Sequence, residues 1–345
     1  MKRIRVLVVE DSPTVRQLLM HILNADPALQ VIGCAGDGEE AIEQVRLHRP
    51  DVVTMDLHMP RMDGLEAVRI IMETAPTPIV VVSGQLAKAD MDQTFVALTA
   101  GALAVVETPA GPTSALAERL VQTVKLMSEI KVVRRWPRRS RPAAAPSLPT
   151  PAVRRADLRL LAIGASTGGP LVLHGILAGL SGKVDVPILI VQHIANGFTD
   201  GFADWLSKST GMQVKVGRAG ELLVPGHVYL APDSLHMGIT PELNIALSSE
   251  PPENGHRPSV SYLFRSAAQV LGPNAIGVLL SGMGRDGGAE LKSMADRGAV
   301  TIVQDPQTTV VAGMPGEAIK LGGAQYVLTP EKILETLNEL VCRRH

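Results

Sequence analysis

The chain has 345 residues, enough for two domains of ordinary size and more than one core comfortably serves. Hydrophobic residues make up 46% and charged residues 19%, which excludes a disordered chain, and a formal charge of −1 excludes an overall pull toward nucleic acid or anionic membrane. Its two cysteines, Cys34 and Cys342, are too few and too far apart for a disulfide framework or a thiolate metal site, so a reducing cytoplasm is the expected setting.

The chain begins Met1-Lys2-Arg3-Ile4-Arg5-Val6-Leu7-Val8-Val9-Glu10-Asp11. Its apolar run stops at two carboxylates, which predicts a strand and not a signal peptide. No segment approaches the roughly 20 apolar residues that cross a bilayer, so no membrane insertion is expected. Strands are predicted at 4–9, 30–34, 51–55, 78–82 and 103–106. Between them Val15, Leu18, Leu19 and Ile22, and then Leu65, Val68, Ile71 and Met72, recur at helical spacing, with Pro13 and Gly64 marking helix starts. Five βα units result, which predicts a parallel sheet covered by helices on both faces.

In such a sheet functional groups gather at the carboxyl ends of the strands. Glu10 and Asp11 follow the first strand, Asp56 follows the third, and Ser83 ends the fourth. Carboxylates clustered at one edge repel one another unless a hard cation such as Mg2+ binds them through oxygen. This set, with the segment Met55-Asp56-Leu57-His58-Met59-Pro60-Arg61-Met62-Asp63-Gly64, resembles the receiver domains of two-component response regulators. The resemblance covers residues 1–128 and implies a flavodoxin-like (βα)5 fold. It implies that Asp56 accepts a phosphoryl group from a sensor histidine kinase. It also implies that Glu10, Asp11 and Asp56 hold Mg2+ with the His58 carbonyl, and that Ser83 hydrogen-bonds the phosphoryl oxygens.

Two positions depart from that pattern. Thr108 stands where receivers carry a lysine, and Val105 where an aromatic switch residue is usual. Losing the cation removes a charge-assisted contact of roughly 1.5–3 kcal/mol, so phosphorylation is expected to shift activity less than in a standard receiver.

Residues 129–156 read as a linker: from Lys131 to Thr150 there is no acidic residue and no apolar periodicity, and prolines alternate with arginines. Such a segment forms an extended, semi-stiff spacer. The arginines at 134–141 lack an adjacent aromatic platform or helix-turn-helix pattern, so no nucleic-acid partner is expected.

Strand and helix alternation resumes over 157–345, with apolar runs at 159–163, 186–191, 276–280 and 299–303, and predicts a second α/β domain. Short strands such as 227–230 and the Pro225-Gly226 turn predict an inserted hairpin region at 212–250. The segment Gly164-Ala165-Ser166-Thr167-Gly168 carries G-x-S-x-G between a strand and a helix. Its glycines permit a tight turn that exposes the serine, and the helix N-terminus offers N–H groups to an oxyanion. The same turn also suits a phosphate, so a bound nucleotide stays open at this point.

A nucleophilic serine needs a base, and the base an orienting carboxylate. His193, ending an apolar strand at the same edge, is the best-placed histidine; His174 reads as helix packing, and His227 and His236 fall in the hairpin region. Asp233, Asp286 and Asp305 each follow an apolar strand, and spacing does not choose among them. The order serine, histidine, aspartate differs from that of α/β-hydrolases, which points to another doubly wound, mainly parallel sheet.

Several further segments agree in order and spacing with one family. They are Gly164 to Pro170, Val191-Gln192-His193-Ile194, Tyr229 to Asp233, Gly255 to Val260, Ser281 to Gly287, and Gln304-Asp305-Pro306. Residues 158–340 thus resemble the catalytic domain of chemotaxis protein-glutamate methylesterases of the CheB type. The resemblance implies a triad of Ser166, His193 and Asp286, supporting roles for Thr167 and the Met283 N–H, and no cofactor in this domain. It further implies methyl-accepting chemoreceptors as substrates, methanol release from their glutamate methyl esters, and deamidation of receptor glutamines.

Overall fold

A computed structural model of the chain describes residues 3–84, 88–130, 132, 157–180 and 184–342. Of the predicted linker, all but residues 129, 130 and 132 lies outside the described residues. Two compact units result, one on each side of that stretch.

The N-terminal unit runs β1 (Ile4–Val9), α1 (Pro13–Ala25), β2 (Leu29–Ala35), α2 (Gly38–His48), β3 (Val52–Met55), α3 (Gly64–Thr74), β4 (Ile79–Ser83), α4 (Lys88–Ala100), β5 (Ala104–Glu107) and α5 (Ala115–Ser128). All five strands are parallel, in the order β2-β1-β3-β4-β5. This is the flavodoxin-like order, with its reversal between β1 and β3. The strands fall within a residue or two of the predicted runs because each is a short β-branched segment closed by polar residues. Helix starts follow cap chemistry. Pro13 opens α1 behind Ser12, whose hydroxyl accepts the Val15 N–H, and Asp63 accepts the Glu66 N–H at 2.8 Å ahead of α3. Val6–Val9, Val52, Val53, Met55 and Ile79–Val82 are almost fully buried, as expected of strands covered on both faces.

The C-terminal unit runs β6 (Leu160–Ala165), α6 (Gly169–Leu180), β7 (Ile188–Gln192), α7 (Thr199–Thr210), β8 (Gln213–Val216), β9 (His227–Leu230), β10 (His236–Ile239) and β11 (Ile245–Ser248). It continues through α8 (Val260–Leu271), β12 (Ala275–Leu279), α9 (Gly288–Asp296), β13 (Val300–Gln304), α10 (Gly313–Lys320), β14 (Tyr326–Leu328) and α11 (Pro330–Val341). Seven parallel strands lie in the order β14-β13-β12-β6-β7-β9-β8. From β6 the chain steps toward β7, whereas from β12 it steps the opposite way to β13 and β14. With right-handed crossovers α6 therefore lies on one face and α9 and α10 on the other, and the reversal falls between β6 and β12.

The expected hairpin region at 212–250 is only partly one. β10 and β11 form the antiparallel pair, while β8 and β9 extend the main sheet. The reason is burial: Val228, Tyr229 and Leu230 are buried in succession, which suits a covered parallel strand and not an alternating hairpin edge. Among the described residues no helix is long and apolar enough to cross a membrane.

Gly64 is a point of close approach. A Cβ there would stand 2.0 Å from the Asp56 carbonyl oxygen and 2.8 Å from Leu57 Cα, both backbone atoms that cannot swing away. Gly64→Ala is therefore expected to push α3 off the loop after β3 and destabilise this unit by about 1–3 kcal/mol, read as faster hydrogen exchange of the β3 amides.

Candidate functional site

In the N-terminal unit the ends of β1 and β3 bring Glu10, Asp11 and Asp56 together, with carboxylate oxygens within 4.8 Å of one another. Ser83 closes β4 at the same edge and is buried. The Asp56 N–H donates to the Val9 carbonyl at 3.0 Å, which ties the two acidic loops. Burial, then the charge of Asp56, pushes the Glu10 carboxyl from an ordinary 4.5 up to about 7. Burial also raises Asp56, against hydrogen bonds from the His58 and Leu57 N–H groups. Three crowded carboxylates offering hard oxygen ligands fit a divalent cation. At the next strand end the Thr108 N–H donates to the Ser83 carbonyl at 3.0 Å, so the residue in the lysine position stands beside Ser83 and carries a hydroxyl and no charge.

In the C-terminal unit Ser166 follows β6, His193 follows β7, and Ser281 to Met283 follow β12, so the site occupies the topological switch point. Ala165 and Gln192 are register partners, which sets Ser166 and His193 on neighbouring strand ends. The Gln192 side chain locks them: its Nε2 donates to the Ser166 carbonyl at 2.9 Å and to the His193 carbonyl at 3.0 Å. On the other flank the Ser166 N–H donates to the Ser281 carbonyl at 2.9 Å, and Ser281 Oγ donates to the Thr167 carbonyl at 2.7 Å. Gln304 Oε1 in turn accepts the Ser281 N–H at 2.9 Å. Met283 stands two residues on and is 48% exposed.

His193 Nε2 lies 2.9 Å from Asp286 Oδ2, while its Nδ1 is buried without a hydrogen-bond partner. Asp286 is itself held by four other donors: Ser259 Oγ at 2.7 Å, the Val260 N–H at 2.7 Å, and the Ser261 N–H and Asn254 Nδ2 at 3.1 Å each. Burial opposes its charge, yet the His193 contact and the hydrogen bonds from Ser259 and Ser261 outweigh it, holding the carboxyl well below the usual range. A serine on a strand-to-helix turn, an imidazole with one free nitrogen, and a carboxylate fixed as an anion form an arrangement suited to acyl transfer.

The other candidates have structural partners. Asp305 accepts the Gln307 N–H at 2.9 Å and caps a short turn. Asp233 accepts the Gly197 N–H at 2.6 Å and the Thr199 hydroxyl, ordering the loop after His193. His174 stacks on Trp205 at 5.1 Å. His227 Nδ1 lies 3.3 Å from the Pro225 carbonyl, and His236 is fully buried between the Ser259 N–H and the Pro251 carbonyl. Sequence reasoning gave no role to Gln192, Gln304, Ser259 or Asn254. The first three lay inside the family-matching segments, the glutamines as amides closing apolar strands, and Asn254 carried no signal.

Comparison with known proteins gives two family matches: "CheB methylesterase" over residues 161–337 and "Response regulator receiver domain" over 6–120. A protein from Geobacter metallireducens named protein-glutamate methylesterase/protein-glutamine glutaminase 4 is 52% identical across 99% of this chain and 100% of its own length. One from Nitrosospira multiformis, named protein-glutamate methylesterase/protein-glutamine glutaminase, is 52% identical across 99% and 98%. The crystal structure of the Thermotoga maritima CheB methylesterase catalytic domain covers 53% of this chain and 99% of its own at 37% identity, with a TM-score of 0.52.

The raised Glu10 carboxyl has a thermodynamic consequence. A group that binds its proton more tightly in the folded state stabilises the fold below its unfolded value of 4.5 and loses that contribution as pH rises through about 7. Glu10→Gln is thus expected to stabilise the metal-free N-terminal unit at pH 8 by about 1–2 kcal/mol and to flatten its stability between pH 4 and 8, measured by denaturant unfolding.

Proposed function

The chain belongs to the CheB methylesterase family and carries an N-terminal response regulator receiver domain, and from that membership we propose which residues perform and regulate its reaction. The reaction is hydrolysis of glutamate methyl esters on methyl-accepting chemoreceptors, with glutamine deamidation as the second activity. The domains are a receiver at 1–128, a basic linker at 129–156 and a methylesterase domain at 157–345. The setting is the reducing cytoplasm, in keeping with free Cys34 and Cys342.

His193 takes the proton of Ser166 Oγ at its Nδ1, and Oγ attacks the γ-carbonyl carbon of the ester. The oxyanion of the tetrahedral intermediate is met by the Met283 N–H, with Thr167 supporting the turn. On collapse the C–O bond to the methoxy group breaks, and that oxygen takes the proton from His193 and leaves as methanol. Water then attacks the acyl-enzyme, giving its proton to His193, which returns it to Ser166 Oγ as the glutamate carboxylate departs. With glutamine the first leaving group is ammonia. Asp286 stays ionised and stabilises the imidazolium formed in both halves. The observation that carries this reading is the bond between His193 Nε2 and Asp286, which leaves Nδ1 as the working nitrogen.

In the receiver, Asp56 accepts a phosphoryl group from a sensor histidine kinase, and Ser83 hydrogen-bonds its oxygens. Glu10 and Asp11, with Asp56 and the His58 carbonyl, would hold Mg2+. When bound there the cation neutralises the carboxylates and the incoming phosphoryl charge. Thr108 adds a hydroxyl where a lysine would add a charge.

Ser166→Ala should lower methanol release from a methylated receptor by at least about a thousandfold with folding intact, since the covalent route is lost. Methanol release at the wild-type rate would overturn the assignment. A small-molecule phosphodonor with Mg2+ should raise activity by less than about tenfold, because the missing cation costs roughly 1.5–3 kcal/mol of contact, and Asp56→Asn should remove the increment. A large Asp56-dependent activation would overturn the weakened-switch reading.

A further inference from the structure

Glu253, Asn254, Gly255 and His256 form a tight turn beside the site. The Glu253 N–H donates to the His256 carbonyl at 3.0 Å and the His256 N–H returns to the Glu253 carbonyl at 2.9 Å. Both central residues have positive φ, 51° at Asn254 and 82° at Gly255. This is the type I′ pattern for which Asn-Gly is the preferred pair. The turn is anchored from outside by Arg265 of α8, whose NH1 donates to Glu253 Oε2 at 3.0 Å and whose NH2 pairs with the other carboxylate oxygen.

Two side chains of this turn reach the proposed acid and base. Asn254 Nδ2 donates to Asp286 Oδ1 at 3.1 Å. The His256 ring lies face to face with the His193 ring, centroids 3.8 Å apart and planes within 6°. The bond to Asp286 pins His193 at one atom and leaves the ring free to swing about that contact. A flat ring against its face removes the swing and aims Nδ1 in one direction. A small misdirection of a base costs far more in rate than in binding.

We propose that the 253–256 turn is a clamp on the acid–base pair, and that His256 is a positioning residue that fixes the plane of the His193 imidazole by stacking. This rests on His193 being the base. The role belongs to the flat face of His256, so an aromatic ring without ionisable nitrogens can fill it, whereas an aliphatic group of similar bulk cannot.

The experiment compares His256→Phe with His256→Leu in the full-length chain, measuring kcat and KM for methanol release from a methylated receptor, with thermal melting as a check on folding. Leu should lower kcat by about tenfold with KM changed less than twofold, and Phe should recover most of that loss. Leu at the wild-type kcat, equal losses in Phe and Leu, or failure of both to fold would each overturn the proposal. Wild-type protein with Ser166→Ala as its blank separates the two readings. If the wild type releases no methanol, the esterase assignment fails first; if it does and Leu matches it, only the clamp fails.

Discussion

The C-terminal site is organised around a single buried charge. The first N–H groups of α8 have no partner within the helix, and the Ser259 side chain at its N-cap does not turn back to take them. The Asp286 carboxylate fills that role from the loop after β12, accepting the Val260 and Ser261 N–H groups. The helix thus gains a cap and a favourable charge at its positive end, and the carboxylate gains the donors that keep it ionised when buried. His193 then meets a fixed anion, so its orientation and tautomer follow from the packing of α8 and not from chance.

The N-terminal pocket shows the opposite outcome of the same physics. Glu10 and Asp56 are also withdrawn from water at strand ends, yet they face each other and Asp11 where Asp286 faces donors. Burial therefore raises their carboxyls, and the imbalance leaves room for positive charge. In one unit the donors outweigh burial and hold a carboxylate as an anion; in the other the fewer donors to Glu10 and Asp56 do not, and burial prevails.

Much of this was legible in the sequence, because it is written in local patterns. Short β-branched runs pointed to the five N-terminal strands, the acids closing two of them to the Glu10, Asp11 and Asp56 pocket, and glycines around Ser166 to the strand-to-helix turn. The choice of acid was not legible from spacing. Asp286 and Asp305 both follow apolar strands, and what separates them is contact with Asn254, Ser259, Val260 and Ser261, residues 25 to 32 positions away. Family resemblance was what pointed to Asp286. The stack of His256 on His193 and the two-way clasp of Gln192 left even less trace, since each depends on segments that meet only in the folded sheet. β9 was misread for a related reason: four residues cannot reveal which sheet they join.

The position of β12 between β13 and β6 sets an order of events for a growing chain. Everything from β6 to α8 can be made and begin to pack while the middle of the sheet is still missing. During that interval Ser166 and His193 exist without Asp286, which lies 93 residues beyond His193 and arrives only with the loop after β12. Insertion of this central strand completes the sheet and the hydrogen-bond network of Asp286 together. Late, long-range closure of this kind slows folding, so the geometry around Asp286 is among the last parts of this unit to form.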